Sequence, residues 1–195
     1  EPVPVYGPPA EQTVVRRGQP VCAPTDSGFP TRVVDLKLPL EVLWADLRRS
    51  YHALIHRAEE RYQFYEAPNL AGLRSLYVPP LPMLQPEQWR CLGRAHGGGW
   101  LRVFHAERVS DGALVGATAV YQWRGWAYYG HGRSVETGVS HALQWHIINI
   151  LKDEGEPYYE VGWMAHAGDD EKARRIAHFK AGFGGALWWV PTFMA

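Results

Sequence analysis

The feature that most constrains the fold is a series of three β-rich segments separated by tight turns. The segments are residues 100–108, 113–123 and 126–132, and the SDG and RG sequences between them are typical turn signals. Because such short turns join antiparallel strands, the pattern predicts a three-stranded meander. Residues 137–154 carry apolar side chains at three- and four-residue spacing and predict a helix, and residues 158–163 predict a further strand.

The remaining elements complete an α+β arrangement. Residues 31–38 predict a strand, and the apolar residues that follow Pro39 at helical spacing predict one amphipathic helix within residues 40–67. Residues 68–86 are interrupted by prolines and predict a loop with at most one short helix. Further predicted elements are helices at residues 86–93 and 169–180 and a strand at 186–190. The whole order predicts a mixed, mostly antiparallel sheet flanked by helices, the order of the N-acyltransferase-like (GNAT) superfold.

Length and charge restrict the domain number and the class of partner. With 195 residues, the chain has room for one domain, which we expect at residues 31–195 after a proline-rich N-terminal extension at 1–30. Twenty basic and twenty acidic residues give a net charge of zero. This balance excludes a protein that coats nucleic acid or an anionic membrane, but it permits local contacts through a few cations. The oligomeric state is left open.

Apolar runs, cysteines and histidines bear on location and metal binding. Every apolar run is far shorter than the ~20 residues of a membrane span, and no signal peptide is visible, so we expect a cytoplasmic protein. Cys22 and Cys91 match no zinc pattern and are expected as thiols, although one disulfide stays open. His52 and His56 share a helix face but lack a third ligand or an HExxH glutamate. We therefore expect no metal.

Four stretches of the sequence resemble the FemAB-like (Fem) family. They are LWADLRRSYHALIHRA, the pair ALVGATAVYQWRGWAYYGHGRS and SHALQWHIINILKDEGEPYYEVG, and HFKAGFGG, which is similar to a C-terminal Phe-Lys-x-x-Phe-Gly phrase of the family. The resemblance implies an aminoacyl or peptidyl transferase that uses aminoacyl-tRNA to acylate an acceptor amine. Typical members carry two GNAT-like domains and this chain has room for one. We therefore expect a small amine, a peptidyl natural product (as in antibiotic biosynthesis) or a reduced cell-wall-like precursor as acceptor.

The chemistry of such a transfer indicates two candidate catalytic residues. The amine must lose a proton, the ester carbonyl must be positioned, and the tetrahedral oxyanion must be stabilised. The resemblance implies that the Lys180 cation lies near the transferring carbonyl or the tRNA 3′ end. From its position in the sequence alone, Lys180 could also be a solvated lysine at a helix C-terminus, where the helix dipole favours a positive charge. Glu160 lies between apolar residues of a strand, where it is either a general base or the partner of an arginine.

Six further residues are candidates for substrate binding. Phe179 can stack on the terminal adenine or pack in the core, and Arg133 and Arg48 can contact a phosphate or carboxylate. The remaining candidates for the walls of the site are His131, Tyr129 and Trp163. No separate cofactor is expected, because aminoacyl-tRNA serves as co-substrate.

Two alternative functions stay open. An acyl-CoA-dependent N-acyltransferase would need a glycine-rich loop that holds the pyrophosphate on free amides at a helix N-terminus near Gly138. Here that stretch reads RSVETGVSHAL, which lacks the second glycine and contains Glu136, whose charge would repel the pyrophosphate. The other alternative is a non-catalytic module that binds a peptide or a sugar in an aromatic cleft, because nine Trp and ten Tyr are present.

Overall fold

One seven-stranded open sheet organises the chain in the computed structural model, which describes residues 28–78, 84–164 and 170–191. The strands follow the spatial order β2-β3-β4-β5-β6-β1-β7, and all neighbours are antiparallel except β5 and β6. Their bounds are β1 Gly28–Asp35, β2 Tyr62–Ala67, β3 Leu101–Arg108, β4 Leu114–Trp123, β5 Trp126–Ser134, β6 Tyr158–Trp163 and β7 Ala186–Pro191. The predicted α+β class and mostly antiparallel, GNAT-like sheet are confirmed.

Six helices of the described segments cover the sheet. They are α1 Leu40–Asp46, α2 Arg49–Glu59, α3 Ala71–Ser75, α4 Pro86–Gly97, α5 Val139–Asp153 and α6 Glu171–Ala181. Since successive strand side chains point to opposite faces, the sheet builds two cores. One core packs α1, α2 and α5 on residues such as Phe104 and Tyr159, and the other packs α3 and α4 on residues such as Val103 and Ala117.

The largest correction concerns the segment after Pro39, where the prediction of one helix is wrong. The structure has two helices and then strand β2, because Leu47 and Arg48 adopt extended backbone angles between α1 and α2. Strand β2 has the sequence YQFYEA, and it pairs with β3 along its whole length. Aromatic side chains suit a pleated, half-buried surface, and they outweigh the helical spacing here. The meander thus has four strands instead of three.

The other boundaries differ by smaller amounts. The first strand begins and ends three residues before its predicted bounds, and the helix from Pro86 continues past Gly93 to Gly97. Nothing lies within 4 Å of a Cβ built on Gly93, so this position of the helix faces open space. The short helix allowed within residues 68–86 is α3. In the described segments, no helix is both long and apolar enough to cross a membrane. Cys91 is a free thiol, and Cys22 lies outside the described residues.

The two parallel strands separate after a short contact. β5 and β6 pair only at Ala127 with Tyr159 and at Tyr128 with Glu160. Beyond these pairs β5 stays bonded to β4 on one side, while β6 stays bonded to β1 on the other. A gap therefore opens in the sheet between the second half of β5 and the end of β6.

Candidate functional site

The ammonium of Lys180 lies at the gap between β5 and β6. Its Nζ donates a hydrogen bond to the carbonyl oxygen of Trp163 at 3.1 Å, and it lies 5.8 Å from the ring centroid of Tyr129. Only 9% of Lys180 is exposed, so the interpretation as a solvated lysine at the helix end is wrong. Tyr128 also borders this place, within 3.4 Å of the Cβ position of Gly162.

Gly162 makes room for this ammonium. A Cβ atom built on Gly162 would lie 3.0 Å from the Lys180 Nζ, and the residue has a φ of +89°, which side chains other than glycine rarely adopt. A side chain at this position would strain the backbone, and it would require the Lys180 Nζ to shift by a few tenths of an ångström. The glycine of the YYEVGW strand is thus a part of the site that the sequence patterns did not reveal.

The sequence HFKAGFGG holds helix α6 so that Lys180 points into the gap. Phe183 is buried in the core, and Gly182 packs so closely on Tyr51 that a Cβ atom built on this glycine would lie 2.3 Å from the tyrosine ring. Gly184 has positive φ and packs against Asp46, where a side chain would collide. The spacing of this phrase therefore reflects the close approach of the α6–β7 connection to α1 and α2.

Glu160 lies on β6 beside the start of the gap and is held from both neighbouring strands. Its Oε1 accepts a hydrogen bond from the Thr31 hydroxyl at 2.6 Å, and its Oε2 accepts one from the Trp126 indole at 2.9 Å. Glu160 is 8% exposed, and Thr31 is fully buried. The carboxylate is thus bound by neutral donors and not by the arginine that one interpretation expected.

Burial shifts the protonation equilibria of both groups toward their neutral forms. Burial lowers the pKa of the Lys180 ammonium to about 8, although the negative charge of Glu160 raises it. Burial likewise raises the pKa of the Glu160 carboxyl, against the hydrogen bonds from Thr31 and Trp126 and the charge of Lys180. An ammonium with a pKa near neutrality can stabilise an anion, and it can also give up and regain a proton.

The outer part of β5 carries the predicted arginine. The guanidinium carbon of Arg133 lies 5.3 Å from the ring centroid of Tyr77, and its buried Nε has no hydrogen-bond partner among the described residues. Burial raises the pKa of Tyr129 to about 12 and lowers the pKa of His131. The structure therefore places Arg133, His131 and Tyr129 along one border of the gap, and Trp163 on the opposite border.

Phe179 and Arg48 lie together at the C-terminal end of α6, in structural contacts. The ring of Phe179 packs on Tyr51 and His141, at centroid distances of 6.4 and 5.1 Å. Arg48 donates to the carbonyl oxygen of His178 at 2.8 Å and to the Tyr51 hydroxyl at 3.2 Å. These bonds attach α2 to the end of α6 and so position the neighbouring Lys180.

The N-terminus of α5 follows β5 and is packed rather than open. Gly138 and Val139 are buried, and the Cβ position of Gly138 lies 3.4 Å from the Leu54 carbonyl oxygen of α2. The carboxylate of Glu136, which the sequence suggested would repel a pyrophosphate, is bound by Tyr62, Arg108 and Arg61, so its negative charge is compensated by two arginines.

Histidines 52 and 56 have local partners. His52 stacks on Trp44, with 4.6 Å between the ring centroids, and its Nε2 lies 2.9 Å from the Trp44 carbonyl oxygen. His56 Nδ1 lies 3.6 Å from Glu59. In residues 28–78, 84–164 and 170–191, no three or more His, Cys, Asp or Glu side chains form a group that could hold a metal ion.

Comparisons with known proteins support the fold assignment. No protein-family model matches the sequence, and no curated protein does. Among solved structures, FemX has a TM-score of 0.68 and 11% identity, covering 84% of this chain and 60% of FemX. L-PGS from Bacillus licheniformis has a TM-score of 0.58 and 13% identity, covering 84% of this chain and 59% of L-PGS.

A third solved structure has the same fold. It is the C-terminal domain (DUF2156) of a lysylphosphatidylglycerol synthetase-like protein from Agrobacterium fabrum. Its TM-score is 0.56 and its sequence identity to this chain is 14%. The match covers 83% of this chain and 58% of that one. The chain thus spans about three fifths of the length of these structures. At such low identities, the similarity establishes a shared fold, as the resemblance to Fem-type proteins implies.

Proposed function

We propose that this protein is an N-aminoacyltransferase that joins the aminoacyl group of an aminoacyl-tRNA to a small amine or peptidyl acceptor. The observation that carries the proposal is the buried ammonium of Lys180 in the gap between β5 and β6. Burying a cation is costly, so a buried lysine whose pKa is lowered to about 8 is a candidate functional group. The fold shared with FemX supports the class of reaction.

Lys180 can serve both stages of the transfer. The neutral acceptor amine attacks the ester carbonyl, a C–N bond forms, and the negative charge that develops on the carbonyl oxygen is stabilised by the ammonium. When the C–O bond breaks, Lys180 gives its proton to the departing ribose oxygen and takes one from the new amide nitrogen. The protons balance, and no covalent intermediate on the protein is required.

The contacts of Glu160 favour a positioning role over that of general base. Both carboxylate oxygens already accept hydrogen bonds from buried or half-buried donors, Thr31 and Trp126. The negative charge of the ionised Glu160 carboxylate raises the pKa of Lys180 against the effect of burial and so favours the ammonium form. In this proposal Lys180 touches the reacting atoms, while Glu160 acts through Lys180.

Arg133 is the group that we assign to the donor's phosphate or to the acceptor's carboxylate. Its buried Nε lacks a partner among the described residues, and unpaired buried donors are costly unless a ligand satisfies them. The guanidinium can bind an oxyanion in a bidentate manner while its face rests on Tyr77.

An acyl-CoA donor is less well supported by the packing around α5. The pyrophosphate of such a donor needs accessible amides in the first turn of a helix. Gly138 and Val139 are instead buried against α2 and β4. Because the charge of Glu136 is compensated by Arg108, repulsion of a pyrophosphate by this carboxylate is a weaker argument against CoA. Acyl-CoA is therefore included in the test as the competing donor.

The decisive experiment supplies radiolabelled, charged total tRNA together with a panel of amines, with nuclease-treated tRNA as control. We expect label transfer that nuclease abolishes. Because the net charge is zero, donor affinity should fall with salt at a log–log slope of about −2 to −4, which corresponds to two to four phosphate contacts. Transfer from acyl-CoA with saturable CoA binding, and none from tRNA, would contradict the proposed donor.

A further inference from the structure

A cavity of about 420 Å³ lies at the end of the sheet away from the gap. Its walls come from the end of β1, the β1–α1 turn, α1, the first residue of β6 and the start of β7. Tyr158 lines it, and Gly162 at the gap lies four residues further along β6, about 13 Å away at the rise of a strand. The volume is in the range of small-ligand sites.

The walls combine acidic and aromatic side chains. Asp35 and Asp46 contribute carboxylates, and Tyr158 and Trp188 contribute neighbouring rings with centroids 5.8 Å apart. One oxygen of Asp46 accepts a hydrogen bond from the Gly185 amide at 2.8 Å, which fixes the carboxylate in the wall. Carboxylates next to aromatic faces are the surroundings that an organic cation prefers.

An ammonium of the protein itself already occupies this environment. Lys37 Nζ lies 4.4 Å from the ring centroid of Tyr158, donates to the Tyr158 hydroxyl at 2.7 Å and lies 3.6 Å from Asp35. The Lys37 side chain is 56% exposed, and exposed ion pairs and cation–π contacts of this kind contribute little stability. Lys37 can therefore leave at low cost.

Departure of Lys37 changes the charge of the cavity. Among the described residues, the lining then contains the carboxylates of Asp35 and Asp46 and no cation. Two further cations nearby, Arg32 and Lys152, donate to backbone carbonyls of Gly185 and of Leu36 and Leu38, respectively, and they do not line the cavity.

We propose that this cavity binds the primary ammonium group of a small organic cation, which takes the place of Lys37 over Tyr158. Lys37 acts as an internal competitor for the site. The alkyl part of the ligand would lie along Leu38 and Leu43 in the same walls. This site is separate from Lys180 and does not depend on the transfer reaction.

The test titrates the ¹⁵N-labelled protein with 1-pentylammonium, and with 1-pentanol as the uncharged control of equal length, and follows indole N–H signals by NMR. We expect saturable shifts with pentylammonium at an affinity at least threefold above that of pentanol. Lys37→Met should strengthen pentylammonium binding at least threefold. Asp46→Asn, whose amide oxygen can still accept from Gly185, should weaken it at least threefold.

Glu41→Gln is the matched control for Asp46→Asn. Glu41 is an exposed acid of helix α1, as Asp46 is, but Glu41 does not line the cavity. The Glu41→Gln substitution should leave pentylammonium binding unchanged. Equal affinities for pentanol and pentylammonium, or binding that Lys37→Met weakens, would overturn the proposal. Saturable binding of pentanoate that requires Lys37 would show an anion site instead. None of these measurements involves aminoacyl transfer, so failure here leaves the proposed function standing.

Discussion

Two cations, the half-buried Arg102 of strand β3 and the buried Lys180 of helix α6, have surroundings that act on their charges in opposite ways. Arg102 on β3 has a side chain that is only 16% exposed, and it forms two-point ion pairs with Glu66 and Glu154. Lys180 is buried, and it has a backbone carbonyl as hydrogen-bond partner and Glu160 as a nearby charge. The carboxylates raise the pKa of Arg102, whereas burial lowers the pKa of Lys180 to about 8.

In the proposed function, this difference separates a structural cation, Arg102, from a reactive one, Lys180. The guanidinium of Arg102 links β2, β3 and the end of α5, and its charge is fully compensated. The ammonium of Lys180 makes one hydrogen bond to a backbone carbonyl and has further N–H groups to donate beside the gap. Such an incompletely paired cation stabilises the protein less than a fully compensated ion pair would. This contrast predicts that substitutions at the two positions separate activity from stability.

The largest effect is expected for Lys180→Met, which keeps much of the stem and removes the charge. The single-turnover rate with pre-charged donor should fall about 10²- to 10³-fold, because one oxyanion donor is lost. The loss should appear in kcat rather than in KM, since the interaction forms in the transition state. Urea unfolding should show unchanged or higher stability, because a buried charge is removed.

Two control variants accompany this prediction. Lys180→Arg should recover little activity, because the planar guanidinium places its charge differently. Lys172→Met, an exposed lysine in the first turn of the same helix, should leave the single-turnover rate at saturating donor unchanged. A rate for Lys180→Met within threefold of wild type would refute the catalytic role of this lysine.

The second effect concerns pH. If the ammonium form of Lys180 drives the chemical step, the rate should fall about tenfold per unit as pH rises beyond about 8. Glu160→Gln removes the charge that raises the pKa of Lys180, so the descending limb should move to lower pH. At pH 8 the variant should be about three- to tenfold slower.

The pH profile of single-turnover rates, recorded for wild type, Glu160→Gln and Lys180→Met, measures this effect. The profile of Lys180→Met should lack the descending limb. A Glu160→Gln variant with unshifted limb and a rate loss that is uniform across pH would indicate that Glu160 itself takes the proton from the amine.

The smallest effect on activity and the clearest effect on stability are expected for Arg102→Met. Loss of its charge-assisted hydrogen bonds should lower the free energy of unfolding by about 1–3 kcal/mol, because Glu66 and Glu154 are partly exposed and regain water. The single-turnover rate should stay within twofold of wild type. Urea denaturation provides the measurement, and Arg90→Met, which breaks an exposed pair with Glu87, should cost less than about 1 kcal/mol.

The sequence predicted those elements whose signals are local. The turns at Asp111-Gly112 and Arg124-Gly125 and the apolar spacing of α5 each lie within a few residues, and the structure confirms them. The break between α1 and α2 has no proline or glycine to mark it. The Arg48 amide instead donates to the Gly182 carbonyl at 2.8 Å, and a contact between residues so far apart in the chain carries no local signal.

The sequence indicated the two titratable side chains of the candidate site, but it did not indicate the residues that hold them in place. Lys180 and Glu160 were singled out separately, and the structure places them close enough for their charges to interact. Thr31, which holds Glu160 from 129 residues away, depends on β1 being next to β6, and this adjacency follows from sheet topology alone. Local patterns cannot establish such a pairing.

The position of β1 between β6 and β7 has a consequence for how the protein acquires activity during synthesis. The first described strand has both of its neighbours in residues 158–191, near the other end of the described chain. Pairings between such distant segments form slowly, because long loops must close first. A ribosome-bound chain that ends before β6 can therefore build the β2–β5 meander, yet it has neither Glu160 nor Lys180. If the proposed function is correct, nascent fragments would be inert toward the charged tRNAs that surround them, and transfer would begin only after β1 has paired with β6 and β7.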